Sequence, residues 1–109
     1  MEFGYYYTEE DFILAEIDAA STGEWRLYTA IFDESSSELR LFVDDLLAGD
    51  SSTTESRPSQ TTQPANIGRR PVEGDRHFDG SIDDLWLCDG ALSNNDVSER
   101  YDEQKNIYE

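Results

Sequence analysis

The 109-residue chain is long enough for one domain with a modest core, and its 25 acidic residues outnumber the eight Lys and Arg. The formal net charge of −17 excludes nucleic acid as a partner, because the chain has no basic stripe that could neutralise phosphate groups. No apolar run is long enough to span a membrane, and no basic-then-apolar signal peptide stands at the start, so we expect no membrane insertion.

The acidic residues are spread along the whole chain rather than gathered in one tail. Low mean hydropathy with high net charge is typical of disordered chains, but patterned strands and a 12% content of aromatic residues favour a folded one. A folded chain with this charge repels itself unless counterions screen it, and at 1 M salt the screening length is about 3 Å. The composition therefore predicts an acidic protein adapted to high salt, that is, a halophilic one.

Two strands are predicted near the N-terminus, at residues 2–7 and 12–17, and the second alternates cleanly. The first contains the run Tyr5, Tyr6 and Tyr7, which places aromatic side chains on both faces of the strand. Tyrosine favours strands, so packing at a sheet edge explains the run. The alternative is a carbohydrate-binding platform, in which sugars stack on the rings.

The middle of the chain predicts a β-hairpin, with strands at residues 25–32 and 38–44 around a polar loop at residues 33–37. A turn then leads into a short strand at residues 46–48. Residues 51–64 are almost wholly Ser, Thr, Gln, Glu and Pro, which predicts a flexible low-complexity loop.

A short strand is predicted at residues 66–70, and a second one at residues 81–88. The second lies between two Asp-Gly dipeptides, which are typical of turns because Gly accepts positive φ and Asp tolerates it. Its large apolar side chains occur on both faces, which indicates a strand that is covered on both sides.

Period-2 parity on this strand places Asp83 with Leu85 on one face and Asp84 with Trp86 on the other. The first face is expected in the core, so Asp83 is predicted to matter more for stability than Asp84. Cys88 is the single cysteine; it permits no intramolecular disulfide and is expected to be a small buried hydrophobic residue.

A short helix is predicted at residues 93–104. Ser93 is a good N-cap, and Asp96 three residues later completes an acidic variant of the capping box. Val97, Arg100 and Tyr101 would then form a narrow contact stripe on one side of the helix.

Five motifs occur in order: a Trp-led strand ending in Asp at residues 25–33, LRLFVD at 39–44, NIGR at 66–69, FDGSIDDL at 78–85 and ALS at 91–93. Together they resemble the C-terminal part of the laminin G-like, concanavalin A-like jelly-roll family. The resemblance implies an all-β fold, an abridged antiparallel two-sheet β-sandwich with one short helix near the C-terminus, as a single domain over residues 1–109. One departure is Asp45, which stands where the family has the Gly of a VDG turn; Asp can take the left-handed conformation there at some cost.

By this resemblance, the leading hypothesis is a non-catalytic binding or adhesion module of an extracellular or cell-surface protein, with carbohydrate or protein as its ligand. The alternative is a structural or assembly domain without a small ligand, which pairs through its sheet edges. Because an abridged sheet leaves apolar edges, we also expect a homo-oligomer whose interface includes residues 3–17.

Glycoside hydrolysis is a third hypothesis, since laminarinase-type glucanases of the same superfamily carry a Glu-x-Asp-x-x-Glu strand. Glu16 and Asp18 match the first two positions, but Ser21 occupies the third. Retaining hydrolysis needs two carboxylates, and the one that would serve as acid/base is missing. We therefore predict no enzymatic activity.

Calcium is the cofactor that the resemblance implies, because related jelly rolls with an IDD strand use one of these aspartates for a structural calcium. Asp83 or Asp84 would be the ligand carried over, and calcium takes six to eight oxygen ligands. A cap, or an ion pair with Arg69 or Arg76, is the alternative role for these carboxylates.

Overall fold

The structure is a computed structural model that describes residues 2–6, 12–16, 23–52, 67–68 and 78–108, with backbone alone for 2–6, 12–16 and 108. Within these residues, five strands precede one helix: β1 (Glu2–Tyr6), β2 (Phe12–Glu16), β3 (Tyr28–Asp33), β4 (Glu38–Val43), β5 (Leu46–Ser52) and α1 (Asn94–Tyr108). The chain divides into two compact units, one made of Met1–Pro58 with Gly90–Glu109 and the other of Ser59–Asp89.

The strands of the first unit form two antiparallel sheets. β1 pairs with β2, and β3, β4 and β5 form a three-stranded sheet in that order. The β1–β2 hairpin lies against β4 and β5. The described chain is therefore mostly β with one C-terminal helix, as predicted. β5 continues through Ser52, two residues into the stretch that the sequence assigns to the loop.

The core lies on both faces of the central strand β4. Period-2 alternation points Leu39 and Leu41 to one face of β4 and Phe42 to the other. All three side chains are buried, so both faces of the strand are covered at these positions. Phe42 packs with Ile31 of β3 and with Val97 of α1, which is fully buried, and Leu92 packs against this cluster. Helix α1 thus packs through Val97 against the sheet face that carries Ile31 and Phe42.

The turn between β4 and β5 closes on the start of β3. Asp44 has φ +57°, so the left-handed residue is Asp44, and the expectation that Asp45 takes this conformation is wrong. The Asp44 amide donates to the Leu27 carbonyl at 2.7 Å, and the Leu27 amide donates to Asp44 Oδ1 at 3.0 Å. Arg26 Nη1 donates to Asp44 Oδ2 at 2.8 Å. This hydrogen bond to Asp44 and the charge of Glu24 raise the pKa of Arg26.

We expect Asp44→Ala to lower the free energy of unfolding by about 2 kcal/mol, because it removes two side-chain hydrogen bonds and leaves Ala at positive φ. Asp44→Asn should lose less, since an amide oxygen can still accept from Leu27 and Asn tolerates the left-handed region. Urea denaturation measures both. The matched control is Asp45→Ala, on the exposed neighbouring turn residue; equal losses for Asp44→Ala and Asp45→Ala would contradict the role given to Asp44.

The start of α1 carries the capping arrangement that the sequence predicts. The Asp96 amide donates to Ser93 Oγ at 3.1 Å, and the Ser93 amide donates to Asp96 Oδ2 at 3.0 Å. The hydrogen bonds from Ser93 lower the pKa of Asp96. The helix runs to Tyr108, beyond the predicted end at residue 104, and Lys105 supports its last turns through an ion pair with Asp102 at 3.0 Å.

Arg40 on β4 joins the sheet to the start of the helix. Its Nη2 donates to the Leu92 carbonyl at 2.9 Å, and its Nη1 donates to Asn94 Oδ1. Nε lies 3.1 Å from Glu38 Oε1, close enough for an ion pair but not aligned as a hydrogen bond. Only 12% of the Arg40 side chain is exposed, so the sheet holds this cation in a largely dry position between β4 and the helix start.

Helix α1, the one helix among the described residues, is not long and apolar enough to cross a membrane.

Candidate functional site

Residues 78–89, here called the Asp-Trp segment, contain no strand or helix, so the strand predicted at residues 81–88 is wrong. Asp84 has φ +56°, a left-handed conformation that interrupts the alternation of a strand. Two hydrogen bonds to aspartate side chains stabilise this bend. The Asp84 amide donates to Asp83 Oδ1 at 2.8 Å, and Trp86 Nε1 donates to Asp84 Oδ1 at 2.8 Å.

Because of this bend, period-2 parity does not assign the side chains of residues 81–88 to two faces. Leu85 and Leu87, which parity places in the core, are exposed, and Leu87 is 92% exposed. Asp83 and Asp84 are both exposed as well, so the argument that Asp83 matters more for stability no longer holds. Cys88 is also exposed, which corrects the expectation of a buried thiol.

The segment begins beside the bend at residues 67–68. The Phe78 amide donates to the Gly68 carbonyl at 2.6 Å, and Gly68 has φ +79°. A Cβ atom at Gly68 would lie 3.9 Å from Ile82 Cδ1, so the backbone of this bend is close to the Ile82 side chain. Residues 67 and 68 form no strand, and the rest of the strand predicted at residues 66–70 lies outside the described residues.

Asp83 and Asp84 are the predicted calcium ligands. One carboxylate oxygen of each accepts a hydrogen bond from within the segment. In the part of the chain that the structure describes, no three His, Cys, Asp or Glu side chains stand close enough together to hold a metal ion. Calcium takes six to eight oxygen ligands, so the described residues do not form such a site by themselves. Calcium binding stays a prediction.

The predicted carbohydrate platform lies where the structure gives the backbone alone or nothing. Tyr5 and Tyr6 are in β1, paired with Ile13 and Phe12 of β2, and Tyr7 is outside the described residues. Of the three positions considered for hydrolysis, Glu16 ends β2, and residues 18 and 21 are outside the described part. These interpretations stay predictions.

The structure brings forward a feature that the sequence interpretation missed. The Asp-Trp segment exposes five large apolar side chains, each by more than half: Phe78, Ile82, Leu85, Trp86 and Leu87. An exposed carboxylate stands at each end of this apolar run, Asp79 after Phe78 and Asp89 after Cys88. The two-residue spacing of Asp84 and Trp86 allows a hydrogen bond between their side chains, and this spacing is visible in the sequence. It was missed because the segment was interpreted as a covered strand.

Comparison with known families matches residues 2–98 to a laminin G model described as the Concanavalin A-like lectin/glucanases superfamily. No curated protein matches the chain significantly. Among solved structures, an S-layer domain-containing protein from Clostridium thermocellum (residues 221–444) is similar over 92% of this chain and 50% of that chain, with 21% identity and a TM-score of 0.64. The chain therefore spans about half the length of that structure, and at this identity the likeness concerns the fold alone. The family match extends over most of the sequence and confirms the resemblance seen in the five motifs: the chain belongs to the concanavalin A-like lectin/glucanase superfamily, in its laminin G-like branch.

Proposed function

We propose that the chain is a non-catalytic binding or adhesion module of an extracellular or cell-surface protein, and that it binds a protein ligand through the Asp-Trp segment. Family membership and the likeness to an S-layer domain-containing protein support a binding or structural module. The observation that carries the finer proposal is the concentration of exposed apolar side chains in residues 78–87. We further propose that the complete fold is the two-sheet jelly roll that the family implies.

Among the described side chains, the large apolar groups exposed in this segment are as many as the buried apolar ones. The buried apolar side chains of the described residues number five, Ile31, Leu39, Leu41, Phe42 and Val97, and the same number of large apolar side chains is exposed within residues 78–87. A concentration of exposed large apolar side chains in one short segment is typical of an interaction site. The hydrogen bond from Trp86 Nε1 to Asp84 fixes the indole, so less side-chain entropy is lost when a ligand covers it.

The chemistry of the run favours a protein over a carbohydrate. Three of the five exposed side chains, Ile82, Leu85 and Leu87, are branched aliphatic groups that pack against other apolar side chains. The other two, Phe78 and Trp86, have flat rings that a protein surface can cover equally well. Carbohydrate binding by Tyr5, Tyr6 and Tyr7 is the second proposal, supported by the lectin relatives within the superfamily. Binding on a glycan array that is lost when these three tyrosines become Ser would favour it.

The apolar surface can be tested without a known ligand. We expect the neutral dye Nile red to fluoresce on binding the domain, and Leu87→Ser to remove most of this signal. The matched control is Leu46→Ser, because Leu46 is also exposed but lies in β5. Equal losses for the two variants, with both still folded by circular dichroism, would show that the Asp-Trp segment is not the ligand surface.

An assembly role is the alternative, and it uses another part of the chain. The β1–β2 hairpin contains only two strands in the described part, and such a hairpin leaves edges that a second copy could extend. We propose that any homo-oligomer forms through residues 3–17. Sedimentation in concentrated salt, repeated with a proline at Ile13 to block strand pairing, tests this interface.

The net charge of −17 predicts salt-dependent stability. We expect the melting temperature to rise by on the order of 5–10 °C from dilute buffer to 2 M NaCl, because screening removes self-repulsion worth about 1–2 kcal/mol. The double variant Glu34→Lys and Asp45→Lys changes two exposed acids to bases and should reduce this rise. A melting temperature that is the same in dilute buffer and in concentrated salt would refute the halophilic interpretation.

A further inference from the structure

We infer that Asp89, followed by Gly90, is a site of spontaneous chemical modification at which aspartate isomerises to isoaspartate. The fold slows the same reaction at the other Asp-Gly pair, Asp79 and Gly80. Asp-Gly is the dipeptide in which this reaction is least hindered, because glycine places no side chain beside the amide nitrogen that reacts. This inference concerns the main chain and holds whether or not the Asp-Trp segment binds a protein.

The reaction needs only these two residues and water. The amide nitrogen of Gly90 attacks Cγ of the protonated Asp89 carboxyl group and forms an N–Cγ bond, while the carboxyl hydroxyl leaves as water with the amide proton. The resulting five-membered cyclic imide then takes up one water molecule. Hydrolysis at the Cγ carbonyl restores aspartate, and hydrolysis at the main-chain carbonyl leaves Gly90 joined through Cγ, which is isoaspartate. No atom is gained or lost overall, and nothing is oxidised or reduced.

The reacting atoms at Asp89 are accessible. Asp89 and Gly90 are both exposed, and neither takes part in a hydrogen bond or ion pair within the part of the chain that the structure describes. A Cβ atom at Gly90 would meet nothing within 4 Å, so the backbone has room to turn toward the Asp89 side chain. Gly90 has φ +114°, which residues with a side chain rarely adopt. The fold therefore favours glycine at the position where glycine makes the reaction fast.

The pair Asp79 and Gly80 is also exposed, but it is crowded. A Cβ atom at Gly80 would lie 2.9 Å from Phe78 Cε1 and 3.2 Å from its Cζ, so the Phe78 ring lies against the Gly80 backbone. Closing the imide requires the peptide unit to rotate until its nitrogen faces Asp79 Cγ, and the ring opposes this rotation. The Phe78 amide donates to the Gly68 carbonyl at 2.6 Å, which holds the backbone that carries the ring. The two sites thus share exposure and differ in packing.

The product changes the main chain shortly before helix α1. Isoaspartate adds one carbon atom to the backbone between Asp89 and Gly90. The next residue that the core holds is Leu92, which packs against the buried cluster and whose carbonyl accepts a hydrogen bond from Arg40 at 2.9 Å. Because Ala91 between them is exposed, the added carbon can be accommodated before Leu92. We therefore expect the modified domain to keep helix α1, so that the isoaspartyl form accumulates in the folded protein.

The test follows isoaspartate at both sites while the folded domain is incubated in neutral buffer at physiological temperature. Electron-transfer mass spectrometry of proteolytic fragments distinguishes isoaspartate from aspartate at each position. We expect isoaspartate to form at least about fivefold faster at residue 89 than at residue 79, which corresponds to about 1 kcal/mol in the barrier. Synthetic peptides of residues 77–82 and 87–92, HFDGSI and LCDGAL, lack the fold and should react at similar rates.

A variant tests the role of the ring. Phe78→Ala should raise the rate at Asp79 at least about fivefold and leave the rate at Asp89 unchanged, with circular dichroism to confirm that the variant is folded. If this variant does not fold, the comparison between the wild-type protein and the two peptides decides alone. Equal rates at the two sites of the folded protein, or a faster reaction at Asp79, would overturn the inference. Peptides that differ as much as the two sites do would assign the difference to flanking sequence and overturn it as well.

Discussion

Val97→Asp is expected to unfold the domain or to lower its free energy of unfolding by at least about 3 kcal/mol. Val97 is 0% exposed and packs against Ile31 and Phe42, so the substitution places a carboxylate in an apolar contact between helix and sheet. A buried charge without a partner is strongly unfavourable, and the lost apolar contact adds to the effect. Urea denaturation followed by circular dichroism measures the loss.

Ile107→Asp is the matched control for this substitution. It introduces the same charge on the same helix, but Ile107 is exposed and lies in the last turn. We expect a loss of less than about 1 kcal/mol, mainly from a negative charge near the helix C-terminus. If the two variants lose similar stability, the contact between α1 and the sheet contributes little, and the added charge explains both results.

Arg40→Met is expected to lower the free energy of unfolding by about 3 kcal/mol. The substitution keeps an apolar stem of similar length but removes the donors to the Leu92 carbonyl and to Asn94 Oδ1. Hydrogen bonds that involve a charged group contribute about 1.5–3 kcal/mol, and the Leu92 carbonyl would lose its cationic donor. Glu38 would also lose the cation 3.1 Å from its carboxylate. Urea denaturation of the wild type and the variant gives the difference.

The control for Arg40→Met is Arg26→Met, which removes the same positive charge. The Arg26 side chain is 35% exposed and pairs with Glu24 and Asp44 at the surface, so a smaller loss is expected. A double-mutant cycle between Arg40→Met and Asn94→Ala should give a coupling of about 1 kcal/mol. Equal losses at Arg40 and Arg26, or a coupling near zero, would show that only the net charge matters and that Arg40 does not hold the helix start.

The sequence by itself determined the elements that depend on neighbours along the chain. Period-2 alternation predicted a strand at residues 38–44, which the structure gives as Glu38–Val43, and the polar stretch 33–37 marked the turn that lies at 34–37. Ser93 and Asp96 predicted the start of the helix, because a capping box forms between residues three positions apart. The ordered motifs over residues 25–93 identified the family, which the match over residues 2–98 bears out.

The tertiary structure alone decided the contacts between distant residues and the conformation of the Asp-Trp segment. Arg40 meets Asn94 across 54 positions, and Leu27 meets Asp44 across 17, and no local pattern encodes such distances. The apolar residues of the segment alternate as in a strand that is buried on both faces. In the structure, however, Asp84 has φ +56° and its carboxylate accepts a hydrogen bond from Trp86. Periodicity reports which side chains can share a face, but a single left-handed residue reassigns them. Hydrogen bonds between near neighbours compete here with strand pairing, and the neighbours that the fold supplies decide which of the two forms.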